Sequence, residues 1–257
     1  MHYSIVMDNL KQYITYATRL SNWELHTFNN ITSTINGSKS PIFNYVFLEK
    51  TNDNTFHKSI KEVLQYLQQR KIEATWPLDS SVKHAQPILE DLGLTLANSP
   101  KKAIANITNY FIPYNNNINI TLDIVDNQPK LTQLDLLASK IFHCNINEVS
   151  IFLRGISSYK ASESELKFFL VKLHNTIVGI CGMYIYNQVA GFYSDGILPE
   201  YRNQRIGTSI VLQRIKIAQQ HYCKYAVAQC MKPSINLYKR LGFKMIGNLP
   251  LYVSHTI

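Results

Sequence analysis

The chain has 257 residues, of which 46% are apolar, enough to bury the cores of two ordinary domains. Its 26 lysines and arginines against 17 aspartates and glutamates give a formal net charge of +9. No cluster of five or more basic residues occurs, which argues against nucleic acid as the principal partner.

The cysteines and the apolar runs narrow the class further. Cys144, Cys181, Cys223 and Cys230 show no C-x-x-C spacing and no histidine grouping, so we expect no metal site and buried thiols in a reducing compartment. No apolar run is long enough to cross a bilayer, and no signal-like segment opens the chain. We therefore expect a cytoplasmic protein without membrane association, either a monomer or a homodimer.

The first half of the chain alternates helix and strand patterns, which is typical of an α/β unit. The predicted elements are a helical pattern over 8–35, a strand over 45–49, an amphipathic helix over 55–70, a strand over 72–76 and a helix from Ser80 to Leu94. A turn-prone polar segment over 114–117 then marks a boundary. The predicted domains are therefore residues 1–116 and 117–257.

The second half begins with INITLDIV at 118–125, whose period of two predicts a strand. Helical patterns follow over 131–142 and 149–159, then strands over 166–173, 177–186 and 189–198. A central helix starting near Gly207 is followed by a strand over 225–230, a helix over 234–241 and strands over 243–246 and 251–254.

The stretch from Gly191 to Gly207, GFYSDGILPEYRNQRIG, predicts an anion site. It reads as a strand, a short basic turn and the first residue of a helix. The N-terminus of a helix leaves backbone N–H groups unpaired and carries partial positive charge, so a phosphate there accepts several hydrogen bonds. Many phosphate-binding proteins share this geometry, which by itself names no ligand.

Two motifs narrow the choice. Residues 202–207 resemble motif A of the GNAT N-acetyltransferase superfamily, R/Q-x-x-G-x-G/A, and PSINLYKRLGF at 233–243 looks like the second signature of that family. The resemblance covers about half the chain, from Ile118 onward. It implies a C-terminal GNAT fold, an α/β (α+β) domain whose mixed, mostly antiparallel sheet is flanked by helices. ATWPLDSS at 74–81, with the helix after it, is similar to the degenerate GNAT-like N-terminal half of some two-domain members.

The chain departs from the family pattern at two positions. Arg205 replaces the first glycine of motif A, and Met231 replaces an asparagine of the second motif. Only a required positive φ would exclude arginine at 205, so we expect the loop to stay competent.

The resemblance also implies a set of site residues. Acetyl-CoA would be the co-substrate and an amine the acceptor, with backbone N–H groups of Ile197 and Leu198 stabilising the oxyanion. Tyr238 matches the family tyrosine assigned as the general acid for the coenzyme thiolate. The loop that would hold the coenzyme diphosphate comprises Arg202, Asn203, Gln204, Arg205, Ile206, Gly207, Thr208 and Ser209.

The general base is less defined. Asp195 lies on the motif strand and, by alternation, shares a face with Tyr193 and Ile197, so it is a candidate base, although a structural role fits equally well. Glu200 is expected to cap the following helix, and His174 and His221 to face solvent.

The acceptor is not specified by the sequence. Aromatic residues of the first half would suit an apolar or cationic acceptor, or simply form a core: Trp23, Phe28, Tyr45, Phe47 and Trp76.

Three functions stay open. The chain is an N-acetyltransferase acting on a primary amine of a small molecule or protein, a non-catalytic acyl-CoA-binding regulatory module, or a basic nucleic-acid-associated protein. The departures at 205 and 231 motivate the second function, and the net charge motivates the third.

Overall fold

The computed structural model describes residues 2–21, 23–50, 56–111, 118–154 and 164–255. The helices are α1 His2–Leu20, α2 Phe56–Gln69, α3 Gln86–Asp91, α4 Gln128–Phe142, α5 Ile146–Arg154, α6 Ile206–Gln220 and α7 Ile235–Arg240. The strands are β1 Glu24–Phe28, β2 Ile31–Ile35, β3 Tyr45–Leu48, β4 Ala74–Pro77, β5 Thr95–Asn98, β6 Lys101–Asn106, β7 Ile120–Ile124, β8 Leu166–Leu173, β9 Thr176–Tyr186, β10 Val189–Ile197, β11 Tyr225–Cys230, β12 Lys244–Asn248 and β13 Leu251–Ser254.

The chain forms two compact units. The first comprises Met1–Tyr13 and Lys101–Gly247, and the second comprises Ile14–Pro100 and Asn248–Ile257. Both contain a mixed, mostly antiparallel sheet with helices against it, which confirms the predicted fold class.

The sheet of the first unit has the strand order β12-β6-β11-β10-β9-β8-β7. β10 and β11 run parallel and are joined through α6, whereas the pairs β9–β10, β8–β9, β7–β8 and β6–β11 are antiparallel. α6 presents an apolar stripe to this sheet, and Ile206, Ile210 and Ile215 are almost fully buried there. The helix and its preceding loop are thus fixed at one end of the parallel pair.

The sheet of the second unit has the order β1-β2-β3-β4-β13-β5, with β3 and β4 parallel. Its core includes Ile60, Val63 and Leu67 from the predicted amphipathic helix, together with Trp76. This parallel pair joined by a helix repeats the β10–α6–β11 arrangement of the first unit.

The helical pattern over 8–35 is only partly correct. α1 ends at Leu20, and β1 and β2 form a hairpin whose turn contains Asn29 at φ 49°. The β-branched residues of ITSTI favour a paired strand, which overrides the apparent helical spacing. The strands β5 and β6 are not predicted by the sequence analysis. The predicted helix end over 155–159 lies outside the described residues.

The two units do not divide at residues 116 and 117. β6, from the predicted N-terminal domain, lies between β12 and β11, and β13, from the predicted catalytic domain, lies between β4 and β5. Each sheet therefore takes an interior strand from the other half of the sequence. The predicted boundary segment, 114–117, lies outside the described residues. The functional assignment of the two sequence halves stays a prediction.

Candidate active site

β10 contains a β-bulge before the predicted phosphate loop. Its register with β9 shifts between Tyr193 and Gly196, and Ser194 adopts φ 54°. An extra residue in a strand reverses the alternation of the side chains that follow it. The Tyr193 hydroxyl donates to Asn9 Oδ1 at 2.6 Å, whereas Asp195 turns to the face that α6 covers. The prediction that Asp195 shares a face with Tyr193 is therefore wrong.

Beyond the bulge, β10 leaves its parallel partner. The β10–β11 pairing covers Val189–Phe192, so the end of β10 has an open edge on that side. The Leu198 N–H donates to Val178 O at 2.9 Å and is used within the sheet. Adjacent residues of a strand point their N–H and C=O groups to opposite edges. Because Leu198 points to β9, the N–H and C=O groups of Ile197 face the open edge. The Ile197 carbonyl accepts a hydrogen bond from Arg202 Nε there, at 3.0 Å. Of the two predicted oxyanion donors, the Ile197 amide faces the open edge.

The loop after β10 ends at the N-terminus of α6. Arg205 is the N-cap, with φ 61° and ψ 7°, and its side chain makes no capping hydrogen bond. Position 205 thus has a positive φ, the one condition that was expected to exclude arginine, and arginine nevertheless occupies it. The Arg205 side chain is exposed. The first turn of α6 has no acidic residue, so backbone N–H groups and the helix dipole favour an anion there.

The other loop residues surround this helix start. Asn203 also adopts a positive φ, and Gln204 Nε2 donates to Glu200 O at 3.4 Å. Ile206 and Ser209 are buried and Thr208 is half-buried. A Cβ on Gly207 would lie 3.2 Å from Leu237 Cδ2, so glycine permits the close approach of α6 and α7.

Asp195 and Tyr238 meet beside the open edge, together with a residue that sequence reasoning did not single out. The Tyr238 hydroxyl donates to Asp195 Oδ2 at 2.9 Å, and Arg214 Nη2 donates to the same oxygen at 2.6 Å. Arg214 is fully buried and Tyr238 is 4% exposed, whereas the Asp195 side chain is 33% exposed. Asp195 is therefore the most exposed member of this group.

The protonation states in this group follow from burial. Burial raises the pKa of Tyr238, and the neighbouring Asp195 carboxylate raises it further, so at neutral pH the phenol keeps the proton that it donates. Burial also raises the pKa of the Cys181 and Cys230 thiols to about 12. These two thiols therefore stay protonated and are poor nucleophiles.

The position of Arg214 in the sequence carries a signal for a buried charge. It stands four residues after Ile210 and four before Ala218, in the apolar stripe of the central helix. A charged residue in such a stripe is buried with the stripe and requires a partner of opposite charge. The sequence could not indicate which carboxylate is that partner.

Several singled-out residues lie apart from this group. His174 is in an exposed turn, and His221 is exposed at the C-cap of α6. Glu200 does not cap α6, and its Oε1 lies 3.6 Å from Lys140 Nζ. Trp76 is fully buried in the core of the second unit.

Among the described residues, no group of three or more His, Cys, Asp or Glu side chains could hold a metal ion. No helix within the described ranges has the length and apolarity of a membrane span.

A comparison with protein families matches the region that contains these residues. Residues 140–243 match the family model described as the acetyltransferase (GNAT) family. The match contains the bulged strand, the loop, α6 and α7. No curated protein sequence matches the chain.

Solved structures of similar fold cover nearly the whole chain. The GCN5-related N-acetyltransferase from Kribbella flavida has a TM-score of 0.74 and 10% identity, over 98% of this chain and 95% of that one. A GCN5-related N-acetyltransferase from Sphaerobacter thermophilus has a TM-score of 0.64 and 10% identity, over 88% of this chain and 76% of that one. A tandem GNAT protein from the clavulanic acid biosynthesis pathway has a TM-score of 0.61 and 7% identity, over 97% of this chain and 95% of that one. Identities this low support the fold alone.

Proposed function

We propose that this chain, whose residues 140–243 match the acetyltransferase (GNAT) family, is an N-acetyltransferase. In this proposal it transfers the acetyl group of acetyl-CoA to a primary amine of a small molecule or protein in a ternary complex. The observation that carries the proposal is the hydrogen bond between Tyr238 and Asp195. The two residues were singled out from different parts of the sequence, and the fold brings them together beside the open edge of β10.

The start of α6 suits the coenzyme diphosphate. Within residues 202–209, the first turn of α6 presents backbone N–H groups at a helix N-terminus, beside an exposed Arg205 and without an acidic residue. The N–H groups of Arg202 and Ser209 are used within the fold, by Pro199 O and Arg205 O. The edge beyond Phe192, where β10 is no longer paired with β11, is the place where the acyl arm would bind. In this proposal the Ile197 N–H stabilises the oxyanion.

The reaction forms a C–N bond, breaks the thioester C–S bond and moves one proton from the amine to the sulfur. Asp195, which is partly exposed, accepts the amine proton. Tyr238 donates its proton to the departing thiolate and is reprotonated by Asp195 through the 2.9 Å hydrogen bond. Both residues return to their starting states, so the proton balance closes without another reactant.

Coenzyme binding and turnover test the proposal separately. Acetyl-CoA at 100 times its Kd should stabilise the protein by about 2.7 kcal/mol, whereas pantetheine, which lacks the diphosphate, should stabilise it far less at the same concentration. Thiol release from acetyl-CoA is then followed across a panel of primary amines. Binding without thiol release would favour the non-catalytic module. Absence of binding, with steeply salt-dependent binding to DNA or RNA, would favour the nucleic-acid alternative.

The Tyr238→Phe variant tests the proton path. Removing the hydroxyl should lower kcat by about 10²-fold and leave the KM for acetyl-CoA nearly unchanged, because general acid–base catalysis contributes at that scale. Tyr110→Phe is the matched control, since the Tyr110 hydroxyl donates to Leu241 O at 3.1 Å elsewhere in the same unit. Equal rates for the two variants would remove Tyr238 from the mechanism.

A further inference from the structure

Arg214 has an unusual position for a charged residue. It lies in the middle of α6 and is fully buried. Its Nη1 donates to Gly182 O at 2.7 Å, and its guanidinium carbon lies 4.2 Å from the centroid of the Phe192 ring. Its Nη2 donates to Asp195 Oδ2, the carboxylate oxygen that also accepts from Tyr238. One guanidinium therefore connects β9, β10 and, through Asp195, α7.

Stability alone does not account for an arginine here. Its neighbours in the helical stripe, Ile210 and Ala218, are apolar and buried. Replacing a buried ion pair by apolar residues of similar volume is often neutral or stabilising, because desolvation offsets the attraction between the charges. The Arg214 Nε is also buried without a hydrogen-bond partner among the described residues. What the arginine supplies is a defined orientation of the groups that it binds.

The orientation of Asp195 depends on this arginine. Asp195 follows Ser194, the positive-φ residue of the bulge, and its side chain is partly exposed. Arg214 and Tyr238 both donate to Oδ2, and none of the described residues donates to Oδ1. Without the guanidinium, the carboxylate loses the ion pair that holds it inward and is free to turn to water. Tyr238 would then lose the acceptor of its hydroxyl proton.

We propose that Arg214 is a positioning residue for acetyl transfer. Its ion pair with Asp195 holds the Asp195 carboxylate and the Tyr238 hydroxyl in the arrangement that passes the proton. This inference rests on the proposed function. It assigns Arg214 no contact with either substrate.

The test compares Arg214→Met with Lys216→Met, which makes the same substitution at an exposed position of the same helix. Arg214→Met should lower kcat at least about tenfold relative to Lys216→Met, since small misplacements of catalytic groups cost up to about 10²-fold. The KM for acetyl-CoA should change less than about threefold, because the phosphate loop is unaltered. Arg214→Lys should recover part of kcat, because lysine keeps the charge but lacks the planar fork that reaches Gly182 and Asp195 together. It also serves as the test variant if Arg214→Met does not fold.

A spectroscopic readout accompanies the kinetics. With ¹³Cζ-labelled tyrosine, the Tyr238 NMR signal is identified by its loss in Tyr238→Phe. It should shift in Arg214→Met and stay in place in Lys216→Met. An unchanged signal would overturn the inference, and so would a shifted signal with a kcat equal to that of Lys216→Met, which would make the network structural. A wild type that releases no thiol with any amine would overturn the proposed function and this role with it.

Discussion

Two single residues with a left-handed backbone conformation determine the path of the chain in the loop and in the bulge. Arg205 and Ser194 both have positive φ, although neither is glycine. This conformation costs a residue with a Cβ roughly 1–2 kcal/mol, so surrounding structure must hold it in place. For Arg205 that structure is the start of α6. Arg205 thus adopts a positive φ at the position where the motif has a glycine.

The conformation of Arg205 leads to a prediction about stability. Arg205→Gly should be more stable than Arg205→Ala by about 1 kcal/mol, because glycine relieves the strain that alanine keeps. Chemical denaturation of the two variants measures the difference. Arg202, with φ −68°, is the matched position, and glycine there should be the less stable of the pair. The same order at both positions would show that position 205 is not strained.

At the level of elements, the N-terminal part of α1 supports the bulged strand. Asn9 Nδ2 donates to Val189 O at 3.2 Å, and Asn9 Oδ1 accepts from the Tyr193 hydroxyl. Tyr13 stacks on the Tyr193 ring with centroids 4.3 Å apart. A Cβ on Gly191 would lie 2.0 Å from Asn9 Oδ1, so only glycine leaves room for this contact. The residue before the bulge is therefore held by a helix from the far end of the sequence.

A double-mutant cycle tests this support. Asn9→Ala should destabilise the protein by about 1–3 kcal/mol, because it leaves the buried Tyr193 hydroxyl without its acceptor. The double variant Asn9→Ala/Tyr193→Phe should lose less free energy of unfolding than the two single variants lose in total. Tyr110→Phe, at a residue whose hydroxyl donates to Leu241 O at 3.1 Å, is the control and should combine additively with Asn9→Ala. Additivity in both cycles, measured by denaturation, would argue against a stabilising contact.

At the level of the whole molecule, sequence halves and compact units differ. β6 pairs with β11 over six residues, from Lys101↔Cys230 to Asn106↔Tyr225, and β13 pairs with both β4 and β5. An interior strand contributes backbone hydrogen bonds on both sides, so its loss opens the sheet at that point. A fragment that follows the predicted domain boundary therefore lacks an interior strand.

The exchanged strands predict the behaviour of such a fragment. Residues 117–257 expressed alone lack β6 and the part of α1 that contains Asn9. We therefore expect no cooperative thermal transition and a weak near-ultraviolet circular dichroism signal. The full-length chain is the control and should unfold cooperatively. A sharp transition for the fragment, with acetyl-CoA binding retained, would show that the predicted catalytic domain folds without the strand from the first half.

The sequence by itself determined the local features of this protein. Hydrophobic period and turn chemistry predicted most of the strands and helices, including the strand, loop and helix around residues 202–209, because these signals depend on neighbours along the chain. The motif positions also selected Asp195 and Tyr238 as candidates.

Only the tertiary structure decided which face Asp195 occupies, which carboxylate pairs with Arg214 and which strands complete each sheet. The bulge at Ser194 reverses the side-chain alternation. The pair Asp195-Gly196 beside it is compatible with a bulge, but the spacing does not indicate which residue is the extra one. The Arg214 ion pair joins residues 19 positions apart, and the Asn9 hydrogen bond spans 184 positions. Such contacts form because packing brings distant segments together, and the spacing of residues along the chain does not specify them.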